Sequence, residues 1–406
     1  MYHNLAVLAI FAFMYSAVAG RIERSWLSGP ILFVLFGLVS GPHVLGILNV
    51  TVTAEGLQVI AELTLAFVLF TDAANANLGV LRRNLNIPER LLLIGLPLTI
   101  GLGFVIGVLV FPELSILGVA LLATMLAPTD AALGKPLVTN AAVPAPIRES
   151  LSFESGLNDG ICVPVLFVFL GLAVGTEVAG GTFANALRIV AAQLGIGLAV
   201  GLGLTGAAAY LLKAAASRNW VTPHWAQIPV VALAAGCYAV AHVAGGSGFI
   251  ACFVGGLLTS AIAKKHKHEL LAPAEGTGDV LALFTWVIFG AAVVGQTAGS
   301  FTWEVVVYAV LSLTVIRMAP VLLALAGTGL GWEGKLFVGW FGPRGLASIV
   351  FAIIVYHENL PDSGMLALVV VCAVILSIVA HGMSANPMIV ALGARLRRGL
   401  PEEREG

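Results

Sequence analysis

Residues 115–138 read SILGVALLATMLAPTDAALGKPLV, an apolar run of membrane-crossing length that is interrupted near its middle by Ala127-Pro128-Thr129-Asp130. A helix needs about 20 apolar residues to span the hydrocarbon core, and a proline inside it removes a backbone donor and frees the carbonyl one turn earlier. An ionised side chain at that depth costs roughly 2.5–3.5 kcal/mol on insertion scales. Irregular backbone is tolerated there only where it lines a cavity. The stretch therefore predicts a membrane protein whose working site is built on a broken helix. Unwound carbonyls beside a carboxylate make a hard-oxygen site suited to a small cation.

The rest of the chain agrees with that reading. Its 406 residues are 59% hydrophobic and 10% charged, with a mean hydropathy of +1.01, whereas a soluble domain carries about a quarter charged residues. A net charge of -1 argues against nucleic acid as the partner, which would favour a basic face. No polar stretch is long enough for a separate soluble domain, so residues 1–406 read as one transmembrane domain. Cys162, Cys237, Cys252 and Cys372 stand singly in apolar runs, without metal-ligand or redox spacing, and read as small hydrophobes. No cofactor is expected.

Thirteen apolar segments follow one another, at about 2–20, 27–48, 57–79, 91–111, 115–138, 147–174, 183–212, 226–243, 249–263, 278–297, 303–327, 333–356 and 364–391. With the N-terminus outside and the C-terminus inside, all 20 Lys and Arg except Arg188, Arg317 and Arg344 fall in inner loops or the tail, while the outer loops carry Glu55, Glu113, Glu177, Glu358 and Asp362. That separation is the positive-inside pattern. Ala17-Val18-Ala19 resembles a cleavage site, but Arg21 and Arg24 follow at once and would be sent outward, so the first segment is expected to remain as a span. Thirteen spans permit two inverted six-helix repeats joined by a linking helix, a layout common in secondary transporters. The breaks at Ala127-Pro128-Thr129-Asp130 and Gly342-Pro343-Arg344-Gly345 fall in the fifth span of each repeat, spans 5 and 12.

Glu62, Asp72, Asp130, Glu154, Asp159, Arg188, Arg317 and Arg344 lie inside these segments. At about 1.5 Å per residue, Asp130 sits roughly 12 Å from the inner end of its segment, Arg344 roughly 14 Å, Arg317 roughly 15 Å and Asp159 roughly 16 Å. Four charges on four helices thus share a depth near the midplane. Within Glu154-Ser155-Gly156-Leu157-Asn158-Asp159, helical spacing puts Ser155 with Asp159 on one face and Glu154 with Asn158 on another. The first pair offers a hydroxyl and a carboxylate to an ion. For Glu154, Arg344 is the best-placed cation. The plainer alternative is a static polar core, which by itself needs no broken helix.

Four segments resemble the monovalent cation–proton antiporters, in the branch of the NhaP-type and Na⁺/H⁺-exchanger proteins. They are Ala127-Pro128-Thr129-Asp130-Ala131, Glu154-Ser155-Gly156-Leu157-Asn158-Asp159-Gly160, Gly248-Phe249-Ile250-Ala251-Cys252-Phe253-Val254-Gly255-Gly256 and Gly342-Pro343-Arg344-Gly345-Leu346, matching in order and spacing. The resemblance implies an all-α NhaA/NhaP-like fold in which Asp159 binds cation and proton alternately and Asn158 orients the site. Thr129, Asp130 and Ser155 match positions that contribute oxygens, so Na⁺, or Li⁺ or K⁺, would sit at Asp159, Asp130, Ser155 and Thr129. Glu154 and Arg344 match an ion pair that holds the core together. Asp72 resembles an acid bordering the cytoplasmic funnel, and Arg317 a basic residue that neutralises helix ends. The resemblance also implies a homodimer, with a mobile core of about 91–174 and 303–391 moving against an interface bundle of about 1–79 and 183–297. Gly156 and Pro343 depart from the family pattern, where a bulkier residue and Leu are frequent.

One acid in Asn158-Asp159, where electrogenic relatives carry two, implies electroneutral exchange of one cation for one proton by alternating access, in pH homeostasis at a prokaryotic plasma membrane. A cation channel or a different secondary transporter is the main alternative. A remote one is an intramembrane serine protease, from Gly245-Gly246-Ser247-Gly248 with His381. Lys264-Lys265-His266-Lys267-His268 reads as a positive-inside loop, His242 as a satisfied bundle histidine, and Glu62 as interfacial or an outer-funnel acid.

Overall fold

A computed structural model describes residues 2–22, 25, 27–48, 54–76, 87–130, 140, 143–175, 183–222, 224–263, 267–297 and 299–398. Among these residues the secondary structure is helical throughout, with no strand. Among the described residues, nine helices are long and apolar enough to cross a membrane. They are α1 (Tyr2–Ile22), α3 (Ala54–Asn75), α4 (Pro88–Val110), α6 (Ala145–Ala173), α7 (Phe183–Ser217), α8 (Trp225–Val243), α10 (Glu269–Thr297), α11 (Trp303–Ala324) and α14 (Ser363–Arg398). Four more are apolar but shorter: α2 (Gly29–Ser40), α5 (Ile116–Met125), α9 (Gly248–Ile262) and α13 (Leu346–His357). A short helix, α12 (Trp332–Trp340), precedes α13.

α3 packs against α9 and α10, α9 also against α7, and α2 against α10. α4 packs on α5, α5 on α6, and α14 lies against both α11 and α13. The largest core cluster runs through residues of α3, α5, α6, α10, α11, α13 and α14, so apolar packing is continuous between the two sets of helices. In hydrocarbon every backbone polar group must be satisfied by protein, and the helix ends show how. Ser115 caps α5 by accepting from Gly118 N at 3.0 Å, and Asp362 Oδ2 accepts from Ser115 N at 2.9 Å. Lys267 donates to Ala76 O, just past the end of α3, and to Ser260 Oγ.

α11 is interrupted at Thr314, between Trp303–Leu313 and Val315–Ala324. The sequence shows no proline there, and the interruption was not expected. Arg188 is exposed on α7 and joins no polar core. His242 is exposed and stacks on Tyr238, so it is not the satisfied bundle histidine expected. Glu62 accepts from Tyr238 Oη and Gln58 Nε2, a hydrogen-bonded acid between α3 and α8. The second half of the fifth apolar segment with Lys135, the loop residues Arg82, Arg83, Glu177, Lys264, Lys265 and His266, and the tail beyond Arg398 lie outside the described residues.

Candidate functional site at the crossing of two broken helices

α5 ends at Met125 and residues 126–130 are irregular; α12 ends at Trp340 and residues 341–345 are irregular. The two interruptions lie against each other. Asp130 N donates to Pro343 O at 2.8 Å, and Leu346 N donates to Asp130 Oδ2 at 2.9 Å. From the other side, Arg344 Nη1 donates to Ala127 O at 2.9 Å and Pro128 O at 3.1 Å, while Nη2 donates to Ser312 O at 3.2 Å. A carboxylate thus stands at the N-terminus of α13, and a guanidinium at the C-terminal ends of α5 and of the first half of α11. Each charge faces the helix end whose dipole favours it. Arg344 takes Ala127 O and Pro128 O, which lie past the end of α5, and Ser312 O, which lies at the kink of α11. Gly345 makes the approach possible, because a Cβ there would lie 1.8 Å from Asp130 Oδ2.

α6 brings the acidic run to the same place. Thr129 Oγ1 lies 3.1 Å from Ser155 Oγ, and Asn158 Nδ2 donates to Thr129 Oγ1 at 2.6 Å. Ser155 and Asn158, three residues apart, therefore converge on Thr129. The expected grouping of Asn158 with Glu154 gives way to this i, i+3 pair, because Thr129 projects from the break between them. Asn158 is fully buried and Asp159 is 6% exposed. Among the described residues, neither Asn158 Oδ1 nor Asp159 Oδ1 receives a hydrogen bond from the protein. Buried oxygens are nearly always satisfied, so two adjacent acceptors of this kind mark a place where a positive species is wanted. Asp72 of α3 packs its backbone and Cβ against Gly156 and is half-buried. Asp72, Asp130 and Asp159 lie within electrostatic range of one another, and Glu275 and Asp279 of α10 act on Asp72. Like charges gathered in a low-dielectric setting repel unless a cation or protons intervene.

Glu154 departs from its expected partner. Its carboxylate accepts from Arg317 Nη1 at 2.5 Å and Nη2 at 2.8 Å, a two-pronged pair with 1% and 2% of the side chains exposed. Arg344 does not pair with Glu154 but holds helix ends, the role expected of Arg317. The reason is lateral position: once Asp130 N meets Pro343 O, Arg344 stands over the α5 break, and Arg317, just beyond the kink in α11, is left facing α6. Gly342 lets Arg317 lie flat over the second break, since a Cβ there would be 2.3 Å from Nε.

Other polar residues beside this site were not singled out as cation-site residues from the sequence. Ser377 and His381 of α14 are buried beside Arg344, and Glu275 and Asp279 flank Asp72. Asp279 sits at the edge of an apolar segment read to begin at 278, and Glu275 lies before it. The protease reading is overturned. Ser247 Oγ accepts from Ile250 N as the cap of α9, and His381 bonds Ser377 and Trp340 instead.

Comparisons with known proteins show the family and the fold. The transmembrane family described as sodium/hydrogen exchanger matches residues 7–391. A K(+)/H(+) antiporter NhaP of Alkalimonas amylolytica is 24% identical over 95% of this chain and 66% of its own length. A Na(+)/H(+) antiporter of Schizosaccharomyces pombe is 24% identical over 69% of this chain and 66% of its own. The chain thus spans just under two thirds of these curated relatives. The sodium proton antiporter MjNhaP1 of Methanocaldococcus jannaschii shares the fold, with a TM-score of 0.77 at 20% identity over 96% of this chain and 98% of that one.

Proposed function

This chain belongs to the sodium/hydrogen exchanger family, and from that membership and the crossing of its two breaks we propose that it exchanges a monovalent cation for protons across a membrane. The family is one of membrane antiporters, not of enzymes. Sodium is the first substrate to test, with potassium and lithium beside it; of the relatives above, one is named for potassium and one for sodium. The carrying observation is the pair of buried acceptors without a protein partner, Asp159 Oδ1 and Asn158 Oδ1, with Asn158 bonded to the Thr129 hydroxyl that meets Ser155 Oγ. Asp159 holds either a proton or the cation. Thr129, Ser155 and Asp130 supply further oxygens, and Asp72 gathers cations on the inner side. Glu154–Arg317 fixes α6 against α11.

Movement of the helices of 91–174 and 303–391 against those of 1–79 and 183–297 turns the site from one face to the other. An empty carboxylate is costly in an apolar barrier, so the forms that cross are those neutralised by proton or cation. That gives obligatory exchange rather than a leak. One acid in Asn158-Asp159 gives one cation for one proton with no net charge moved. Thirteen crossings with the N-terminus outside, a homodimer and a prokaryotic plasma membrane complete the proposal.

The test is reconstitution in proteoliposomes with a pH-sensitive dye, adding Na⁺, Li⁺, K⁺ or choline chloride to a preformed pH gradient. Collapse with one of the metal cations but not choline, lost in Asp159→Asn, supports the antiporter. No response to any cation overturns it, and channel-like currents move the assignment to a cation channel. A rate that follows an imposed membrane potential removes the 1:1 stoichiometry.

A further inference from the structure

The last helix carries a polar stripe outside the exchange site. Ser377, His381 and Ser384 stand four and three residues apart on one face of α14, and each bonds either Trp340, at the end of α12, or Arg344, inside the break between α12 and α13. His381 Nε2 lies 2.9 Å from Trp340 O at the end of α12. A carbonyl only accepts, so Nε2 carries the ring proton and donates. Nδ1 is then an acceptor, and the Ser377 hydroxyl, 3.1 Å away, donates to it. The same hydroxyl oxygen accepts the Arg344 backbone N–H at 2.7 Å. Trp340 Nε1 adds a donation to Ser384 Oγ at 2.9 Å. A doubly protonated ring would donate from Nδ1 to Ser377 O, 3.0 Å away, and leave the Ser377 hydroxyl without its acceptor. Ser377 and His381 are 0% and 1% exposed, so water does not replace these bonds.

We propose that His381, acting through Ser377, is a positioning residue for cation exchange: it splints the end of α12 to the α12–α13 break and so fixes Arg344, which holds the α5 break carrying Thr129 and Asp130. The splint is read from hydrogen bonds alone; its consequence for transport rests on the assignment of the Thr129–Asp159 region as the cation site.

The experiment uses the full chain in proteoliposomes, comparing wild type, His381→Leu, His381→Gln and Ser377→Ala in NaCl and KCl titrations, with amide hydrogen exchange over residues 341–346 measured alongside. A buried group left unsatisfied costs enough that His381→Leu is expected to raise the KM for the transported cation roughly fivefold or more. His381→Gln, whose amide still donates to Trp340 O, is expected to restore most of it. Ser377→Ala raises KM in the same direction, and adding it to His381→Leu changes little, because both cut one chain of bonds. Faster exchange of the Arg344 amide in His381→Leu, corrected in His381→Gln, supports the splint whether or not the protein transports. A KM unchanged in all three variants, with only thermal stability lowered, overturns the positioning role. An unchanged Arg344 amide in His381→Leu overturns the splint itself. If His381→Leu does not fold, the KM of Ser377→Ala and the Arg344 amide in His381→Gln decide. Wild type that moves protons with neither salt overturns the transport assignment and leaves the amide result to judge the splint.

Discussion

Arg317 donates through both terminal nitrogens to the two oxygens of Glu154, and the pair is sealed inside the protein where α6 meets α11. Removing one partner strands the other charge. Glu154→Gln is therefore expected to lower the unfolding free energy in detergent by about 3–5 kcal/mol, whereas a double replacement by apolar residues, Glu154→Leu with Arg317→Met, costs far less. Thermal unfolding of Glu154→Gln, of the single variants Glu154→Leu and Arg317→Met, and of the double variant checks this. Additive losses would show that the two side chains act separately.

At Gly345 the constraint is steric. A methyl group there meets Asp130 Oδ2 at 1.8 Å, and the obstacle is the carboxylate that caps α13, so it cannot move aside without releasing Leu346 N. Gly345→Ala is expected to cost about 1–3 kcal/mol or more by overpacking and to abolish exchange. Gly364, whose added Cβ meets nothing within 4 Å, is the control. Gly364→Ala should be neutral or gain up to about 1 kcal/mol from helix propensity. Thermal midpoints and exchange rates of both variants compare the two.

Arg344 serves three carbonyls with a planar fork, a geometry lysine cannot reproduce with one ammonium. Arg344→Lys is expected to keep the charge at the helix ends but lose the simultaneous hold on Ala127, Pro128 and Ser312. Proteoliposomes should then show a large fall in maximal exchange rate with most of the fold intact. Arg344→Met, which removes the charge as well, should also fail to fold stably. Equal activity in Arg344→Lys and wild type would mean that the charge alone matters.

The breaks at Pro128 and Pro343, and the gathering of Asp130, Asp159, Arg317 and Arg344 in one region, were legible because proline chemistry and the 1.5 Å helical rise act along one dimension. Which arginine faces Glu154 was not. Depth fixes one coordinate, while lateral order around the bundle is set by tertiary packing, here by Asp130 N meeting Pro343 O. The same limit hid the convergence of Ser155 and Asn158 on Thr129, since helical spacing cannot say where a neighbouring side chain enters. The kink at Thr314 carries no proline or glycine signal. Ser377 and His381 stand four residues apart in the sequence, but that spacing marks nothing by itself; only the position of the α12–α13 break gives the pair a purpose.

If one carboxylate, Asp159, accepts either a proton or a cation, the two compete and pH acts on apparent affinity rather than on maximal rate. Lowering pH raises proton occupancy, so the apparent KM for the cation rises. Below the pH at which the site is half protonated, the rise approaches about tenfold per pH unit by mass action. Above it, KM levels off. Ser155→Ala removes an oxygen that sits 3.1 Å from Thr129 Oγ1 without removing the titrating group. Its KM should be higher at every pH by a similar factor, with the same slope. Tracer cation uptake with equal pH on both faces of the vesicle, repeated from acid to alkaline buffer, gives both curves. A maximal rate that falls with pH at constant KM would instead place the proton's effect on the movement between faces, and remove direct competition at Asp159.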